Sequence, residues 1–309
     1  MSRSERHPYC PTPSNLLLDW RDLDSLLCAE KETSIGDSHS HSSKPFAFNP
    51  PLHNPVLFWT AVSSFCISAA NCVPDSSILS MTQFLDAAGS MNEAVRLPVV
   101  FDADTGYGNE HNVAYAAKRI EGAGLAGLCI EDKVFPKRSS LRSGAQHELL
   151  HVEEFARKIE SAVSVRHNKD FVLIARTEAL IAGLGQEEAL RRAHAYEEAG
   201  ADCILLHSKS KSASEVVQCL RAWTGKARFV LVPTNYPDLI EPAIEELGKV
   251  AMVIYGNHIV RAAVKAVRDV LSEMRAAHGA HTVEDRLTTL EEMFSLQGDF
   301  GESKAAKDT

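Results

Sequence analysis

From about Val73 onward one unit recurs: a helical run, a glycine, then a short continuous apolar run. Ala116 to Gly124 leads into Gly127-Leu128-Cys129-Ile130-Glu131. Ala189 to Gly200 leads into Asp202-Cys203-Ile204-Leu205-Leu206-His207, and Ile244 to Gly248 into Ala251-Met252-Val253-Ile254-Tyr255-Gly256. Glycine directly after a helix is the usual left-handed stop. Leu97 to Phe101, Phe171 to Arg176 and Arg228 to Pro233 supply three further apolar runs. These runs are continuous rather than alternating, which is how parallel strands covered on both faces read. Their ends fall at 104, 131, 176, 207, 233 and 256, one β–α unit apart with extra residues before 176. The order predicts an α/β fold, a (β/α)8 TIM barrel with additional C-terminal helices over 257–278 and about 282–297. An open doubly wound sheet is the alternative. It is disfavoured because no glycine-rich dinucleotide loop with a downstream acid follows the first strand.

The chain has 309 residues, 45% of them hydrophobic and 24% charged, within the range of soluble globular proteins. A net charge of -9 argues against a nucleic-acid groove or an anionic membrane as partner. No apolar stretch reaches the roughly 18 residues that span a bilayer. Met1 to Arg6 has no apolar run behind it, so a secretory signal is not expected, and Asp19, Asp22 and Asp24 argue against a mitochondrial presequence. The seven cysteines (10, 28, 66, 72, 129, 203 and 219) include no Cys-x-x-Cys pair. This usage predicts a reducing, cytoplasmic setting, with Cys129 and Cys203 as small buried hydrophobes. Residues 1–52 read as an irregular or disordered extension, 53–298 as the barrel with its C-terminal helices, and 299–309 as a polar tail. His39, His41 and His53 lie in Ser- and Pro-rich sequence and are not expected to form a metal site.

In such barrels catalysis gathers at the carboxyl ends of the strands. Those ends present Asp102, Asp104, Glu131, Arg176 and His207. In Asp102-Ala103-Asp104-Thr105-Gly106-Tyr107-Gly108-Asn109, strand alternation sends both acids to one side. Two carboxylates on one face call for a cation. With Glu131 they form an oxygen set suited to Mg2+ or Mn2+. Arg176 suits a planar or phosphate-like anion, and His207 a hydrogen bond or proton near neutral pH. The plainer readings are an acidic turn at 102–104, a surface ion pair between Arg176 and Glu178, and a core histidine at 207. After Glu131 runs a long segment from Asp132 to Gly144 with four basic residues and Ser139-Ser140. It is either a solvated basic loop or a flap that closes over an anionic substrate.

These motifs resemble the phosphoenolpyruvate mutase/isocitrate lyase superfamily, and within it the branch of phosphoenolpyruvate mutases and phosphonopyruvate hydrolases. The likeness runs from about Val73 to Asp299. It rests on 102–109, Glu131-Asp-Lys-Val-Phe-Pro-Lys137, Ile174-Ala-Arg-Thr-Glu178, Leu205-Leu-His-Ser208, Val232-Pro-Thr234 and Ile254-Tyr-Gly-Asn-His258. The lyases of the superfamily carry a cysteine on the mobile loop, where this chain reads Phe135-Pro136-Lys137-Arg138-Ser139. The resemblance implies P–C bond chemistry on a phosphonate of a 2-oxo acid. It implies that Asp102 binds Mg2+ directly, with Asp104 and Glu131 holding its waters. Arg176 and His207 would contact the phosphonyl end, with Lys137, Ser139 and Ser140 acting from the loop and Asp75 as the active-site aspartate. Ser63-Ser64-Phe65 would occupy the phosphonyl-binding turn, with Ser64 where the family has glycine. The mutases carry Asn two residues after the loop lysine and the hydrolases a hydroxyl residue, so Ser139 leans toward hydrolase. A phosphonopyruvate hydrolase, a phosphoenolpyruvate mutase and a non-catalytic barrel remain the three readings. The resemblance also implies a homodimer or homotetramer built through the C-terminal helices. Most of the first helix looks missing between His53 and Phe65, so an incomplete first βα unit is expected.

Overall fold

In this computed structural model the described residues are 60–297, apart from 96, 141, 143 and 145. The expectations for 1–52, for the histidines at 39, 41 and 53, for the first βα unit before residue 60 and for the 299–309 tail lie outside them. Residues 60–257 form one compact unit and 258–297 belong to a second.

Seven strands build the first unit: β1 (Thr60–Val62), β2 (Val99–Asp102), β3 (Gly127–Glu131), β4 (Val172–Thr177), β5 (Cys203–Leu206), β6 (Arg228–Leu231) and β7 (Val250–Val253). All neighbouring pairs are parallel and the order is sequential, β1 to β7. The connections carry α1 (Ser64–Ala70), α2 (Met81–Ala94), α3 (Glu110–Gly122), α4 (Val152–Val165), α5 (Ala179–Ala182), α6 (Gly185–Glu198), α7 (Ser214–Ala222) and α8 (Glu241–Glu246). The second unit holds α9 (His258–Ala277), a short 3-10 turn (Glu284–Arg286) and α10 (Leu290–Gln297).

Alternation along each strand explains the continuous apolar runs. Phe101, Leu128, Ile130, Leu173, Ile204, Phe229 and Leu231 pack outward against helix residues such as Phe84, Val113, Ile120, Phe155, Ile159 and Tyr196. Val100, Cys129, Val172, Ile174, Cys203, Leu205, Val230 and Met252 form a separate cluster on the other face. Both faces are therefore apolar, as parallel strands require. Each fully buried Phe, Ile or Leu side chain contributes about 1.5–3 kcal/mol. The inner cluster draws on strands from β2 to β7, which a flat sheet does not permit. The sheet curls until the Cys66 Sγ at the start of α1 donates to the Gly256 carbonyl just after β7, at 3.1 Å.

The described residues hold seven strands of the expected (β/α)8 wall, and the first βα unit lies outside them. Among the described residues seven strands form the wall, and β1 and β7 do not pair with each other. Only Ile254 to Asn257 separate β7 from α9. The run at 282–297 is likewise two pieces. The backbone extends at Leu287 (φ -93°, ψ 145°), and Thr289 Oγ1 accepts the Glu292 N–H at 3.1 Å, which starts a new helix. No helix among the described residues is long and apolar enough to cross a membrane.

The turn after β2 needs glycine. Gly106 has φ +85°, and a Cβ there would lie 2.3 Å from Val113 Cγ2 on α3. Gly106→Ala should therefore lower stability by about 1–3 kcal/mol, read as a lower urea midpoint. An unchanged midpoint would contradict this packing.

Candidate active site

The carboxyl ends of the strands line an open cleft. Every residue singled out from the sequence except Asp104 lines it: Ser63, Ser64, Phe65, Asp75, Asp102, Glu131, Lys137, Ser139, Ser140, Arg176 and His207. Asp104 reaches the same place through an ion pair, its Oδ1 lying 2.5 Å from Lys137 Nζ.

Asp102 is the last residue of β2, and Asp104 is already in a left-handed turn at φ 51°. The two acids are therefore brought together by a tight turn and not by strand alternation. Asp102 Oδ1 accepts the Asp104 N–H at 3.1 Å and stabilises that turn. Asn109 then caps α3, as its position suggested, accepting the N–H groups of His111 and Asn112.

Lys137 comes from the loop and is buried. Its Nζ stands 2.7 Å from Asp75 Oδ1, and it donates to Ser64 Oγ at 2.8 Å. Burial pulls its pKa down, but Asp104, Asp102, Glu131 and Asp75 outweigh this and hold it above the ordinary lysine value. For Asp104, burial together with Asp102 and Glu131 outweighs Lys137, and its carboxyl is pushed up to about 7. For Asp102 burial also acts upward, yet Lys137, Arg176 and the Ser64 hydrogen bond prevail and keep it below the ordinary range. Ser64, expected to offer its N–H to an anion, instead donates both N–H (3.3 Å) and Oγ–H (2.7 Å) to Asp102 Oδ2. Ser63 caps α1 through Cys66 N.

The other half of the site centres on a residue that sequence reasoning left in the role of a surface pair. Glu178 is fully buried. Its Oε1 accepts from Arg176 Nε at 2.6 Å, and its Oε2 pairs with Lys133 Nζ at 2.9 Å and accepts from Ser140 Oγ at 2.6 Å. Burial would raise its pKa, but Arg176 and Lys133 hold it well below the ordinary carboxylate range. Asp132 lies behind it. Its Oδ1 accepts the Glu178 N–H at 2.9 Å, and its Oδ2 accepts from Arg192 (3.0 Å) and Tyr196 (2.7 Å) on α6. Glu131 with Lys133 and Arg176 with Glu178 are i, i+2 pairs at strand ends. That spacing was the available signal for Lys133 and Glu178.

His207 is buried yet lines the cleft, so it is no mere core histidine. Arg176 Nη2 lies 2.8 Å from its Nδ1. A guanidinium only donates, so Nδ1 accepts and the neutral ring carries its proton on Nε2. Burial and Arg176 push the His207 pKa down, in keeping with a neutral ring. Nε2 is buried with no hydrogen-bond partner among the described residues. On the far wall, Thr234 and Asn257 face the same cleft, two further polar groups without an assigned role.

Glu131 Oε1 is a buried carboxylate oxygen without a hydrogen-bond partner among the described residues, whereas Asp104 Oδ1 is ion-paired to Lys137 Nζ. An unsatisfied oxygen of this kind, beside Asp102 and Asp104, fits a hard divalent cation and its waters. Among the described residues no three His, Cys, Asp or Glu donors form a ready coordination sphere.

A curled parallel sheet with acids and bases on its carboxyl rim defines an α/β-barrel type of enzyme. The chain belongs to the phosphoenolpyruvate phosphomutase family, whose model matches residues 59–275, within the phosphoenolpyruvate mutase/isocitrate lyase superfamily. It is 49% identical over 256 residues to a phosphonopyruvate hydrolase of Variovorax sp. (strain Pal2), covering 80% of this chain and 88% of that one. It is 40% identical over 237 residues to a phosphoenolpyruvate phosphomutase of Tetrahymena pyriformis, covering 77% and 79%. A crystal structure of a phosphonopyruvate hydrolase in complex with oxalate and Mg++ matches with a TM-score of 0.73 and 46% identity, covering 77% of this chain and 82% of that one. These relatives are enzymes.

Glu178 generates a pH prediction. Its folded-state pKa is depressed from an ordinary 4.5, so its stabilisation is full above that pH and is lost as pH falls. Glu178→Gln should lose about 3–5 kcal/mol at pH 7 by stranding Arg176 and Lys133. Urea melts between pH 7 and 3 should also give the variant the shallower decline. Parallel profiles would contradict the assignment.

Proposed function

We propose that this protein is a Mg2+-dependent phosphonopyruvate hydrolase, which cleaves the P–C bond of phosphonopyruvate to give pyruvate and phosphate. The observation that carries the reading is Ser139. It lies in the cleft wall two residues after Lys137, where the resemblance gives hydrolases a hydroxyl and mutases an amide. The relative at 49% identity supports the same choice.

The chemistry balances with these residues. A water oxygen bonds to phosphorus, and the P–C bond breaks with its electron pair passing to carbon. That carbon is conjugated to the neighbouring carbonyl, so pyruvate departs as its enolate. The water sheds a proton and the enolate carbon takes one up. Arg176 Nη1 makes no hydrogen bond among the described residues, and His207 Nε2–H is unspent, so both donate to the phosphonyl oxygens. Lys137 offsets charge on the transferring group. Asp102, with Asp104 and Glu131 acting through water, would hold the Mg2+ ion, whose charge, when bound, favours the developing enolate. Glu178 keeps Arg176 aimed, and the packed-down loop at Lys137 excludes solvent.

We also infer assembly of identical copies through the second unit, where Leu271, Leu287, Leu290 and Phe294 are exposed. The buried free thiols Cys129, Cys203 and Cys219 support a reducing, cytoplasmic setting.

Incubation of the purified protein with phosphonopyruvate and Mg2+ tests the activity. Pyruvate and phosphate should form in equal amounts, and EDTA should abolish them. Phosphoenolpyruvate as product would assign a mutase, and neither product would make the barrel non-catalytic. Ser139→Asn should divert part of the flux to phosphoenolpyruvate; unchanged product ratios would remove Ser139 from the choice of nucleophile. Light scattering during gel filtration should give a dimer or tetramer, and a monomer would overturn the assembly.

A further inference from the structure

The segment after β3 is fixed at its base and reaches the cleft with its tip. At the base the Val134 N–H donates to the Glu148 carbonyl (3.0 Å) and the Leu150 N–H to the Asp132 carbonyl (2.9 Å). Lys133 pairs with Leu149 in an antiparallel bridge. The Lys133 backbone is therefore part of the rigid rim. Its side chain leaves the rim and enters the loop. Nζ donates to the Arg138 carbonyl at 3.0 Å and to Ser140 Oγ at 2.5 Å, and pairs with Glu178 Oε2 at 2.9 Å. An ammonium has three N–H groups, and these three acceptors use all of them. Glu131 Oε1, at 3.5 Å, receives only a longer-range charge contact. The two loop acceptors are the residues on either side of Ser139.

We propose that Lys133 is a positioning residue: it clamps both neighbours of Ser139 to the buried Glu178 carboxylate and so fixes the Ser139 hydroxyl in the cleft wall. This role rests on the hydrolase reading, in which Ser139 bears on the nucleophile that reaches phosphorus. The loop tip then shares its anchor with the phosphonyl-binding arginine. Ser140 Oγ donates to Glu178 Oε2 and accepts from both Lys133 and Arg176 Nη2 (2.9 Å), which leaves it fully satisfied. A compact ammonium serves all three acceptors from one atom, which the planar fork of arginine does not. Arg138 itself is exposed, so the Arg138–Ser139 peptide is open to trypsin once the clamp is released.

The experiment compares the full-length wild type with Lys133→Arg and Ser140→Ala. The first retains positive charge beside Glu178, and the second retains the Lys133–Glu178 ion pair, so a folded variant is secured. Limited trypsinolysis with mass detection follows the fragment that begins at Ser139. Both variants should be cut there at least about tenfold faster than wild type at an unchanged melting temperature. With phosphonopyruvate and Mg2+, Lys133→Arg should lose at least about tenfold in kcat while KM stays within about threefold. Wild-type cleavage rates in a folded variant overturn the proposal, as does faster cleavage with unaltered kcat. A wild type that forms no pyruvate overturns the hydrolase reading instead, and the trypsin comparison then decides the clamp on its own.

Discussion

The site depends on one buried carboxylate. Glu178 has lost its water, and several kcal/mol of desolvation are offset only because Arg176 and Lys133 lie within 3 Å of it. Each member needs the others. Arg176 faces the cleft from β4, Lys133 from the β3 rim and Ser140 from the loop, and Glu178 is the group all three share. Behind it the Glu178 backbone is fixed by Asp132, which Arg192 and Tyr196 anchor to α6. The aim of the arginine is thus set by a polar network reaching from an outer helix to the inner rim.

The opposite side of the cleft works by concentrated negative charge. Asp102, Asp104 and Glu131 cluster near Lys137, which neutralises only part of them. Burial and mutual repulsion push the Asp104 carboxyl up to about 7. The turn carrying these acids holds Asp104 and Tyr107 at positive φ, conformations that side chains seldom adopt. Backbone strain of this sort persists where surrounding structure overdetermines it, and here it places two acids where regular strand geometry does not. Cations on one wall and clustered carboxylates on the other suit a substrate with an anionic head and a chelating tail.

Much of this was readable in advance. The apolar runs, their glycine stops and their spacing located six strands, because burial on both faces leaves little freedom in composition. The charged rim was readable for the same reason, since a charged residue closing an apolar run has to face the mouth. The Arg176–Glu178 pair was harder. Two residues apart with opposite charge, it reads equally as a surface bridge, and only the covering loop and α6 make it a buried hub. Ser64 shows the same limit: its sequence position marks it for an anion, and its hydrogen bonds go to Asp102.

By itself the sequence determined the parallel α/β architecture, the acids and bases along one rim and the family, all of which follow from periodicity and local motif. Tertiary structure alone decided that the wall has seven described strands, that a turn brings the two aspartates together, and that Lys133 reaches from rim to loop. The physical reason is range. Periodicity records which face a residue presents, whereas the partner of a buried charge is chosen by chain segments as much as 73 residues away, as Lys137 and Ser64 are.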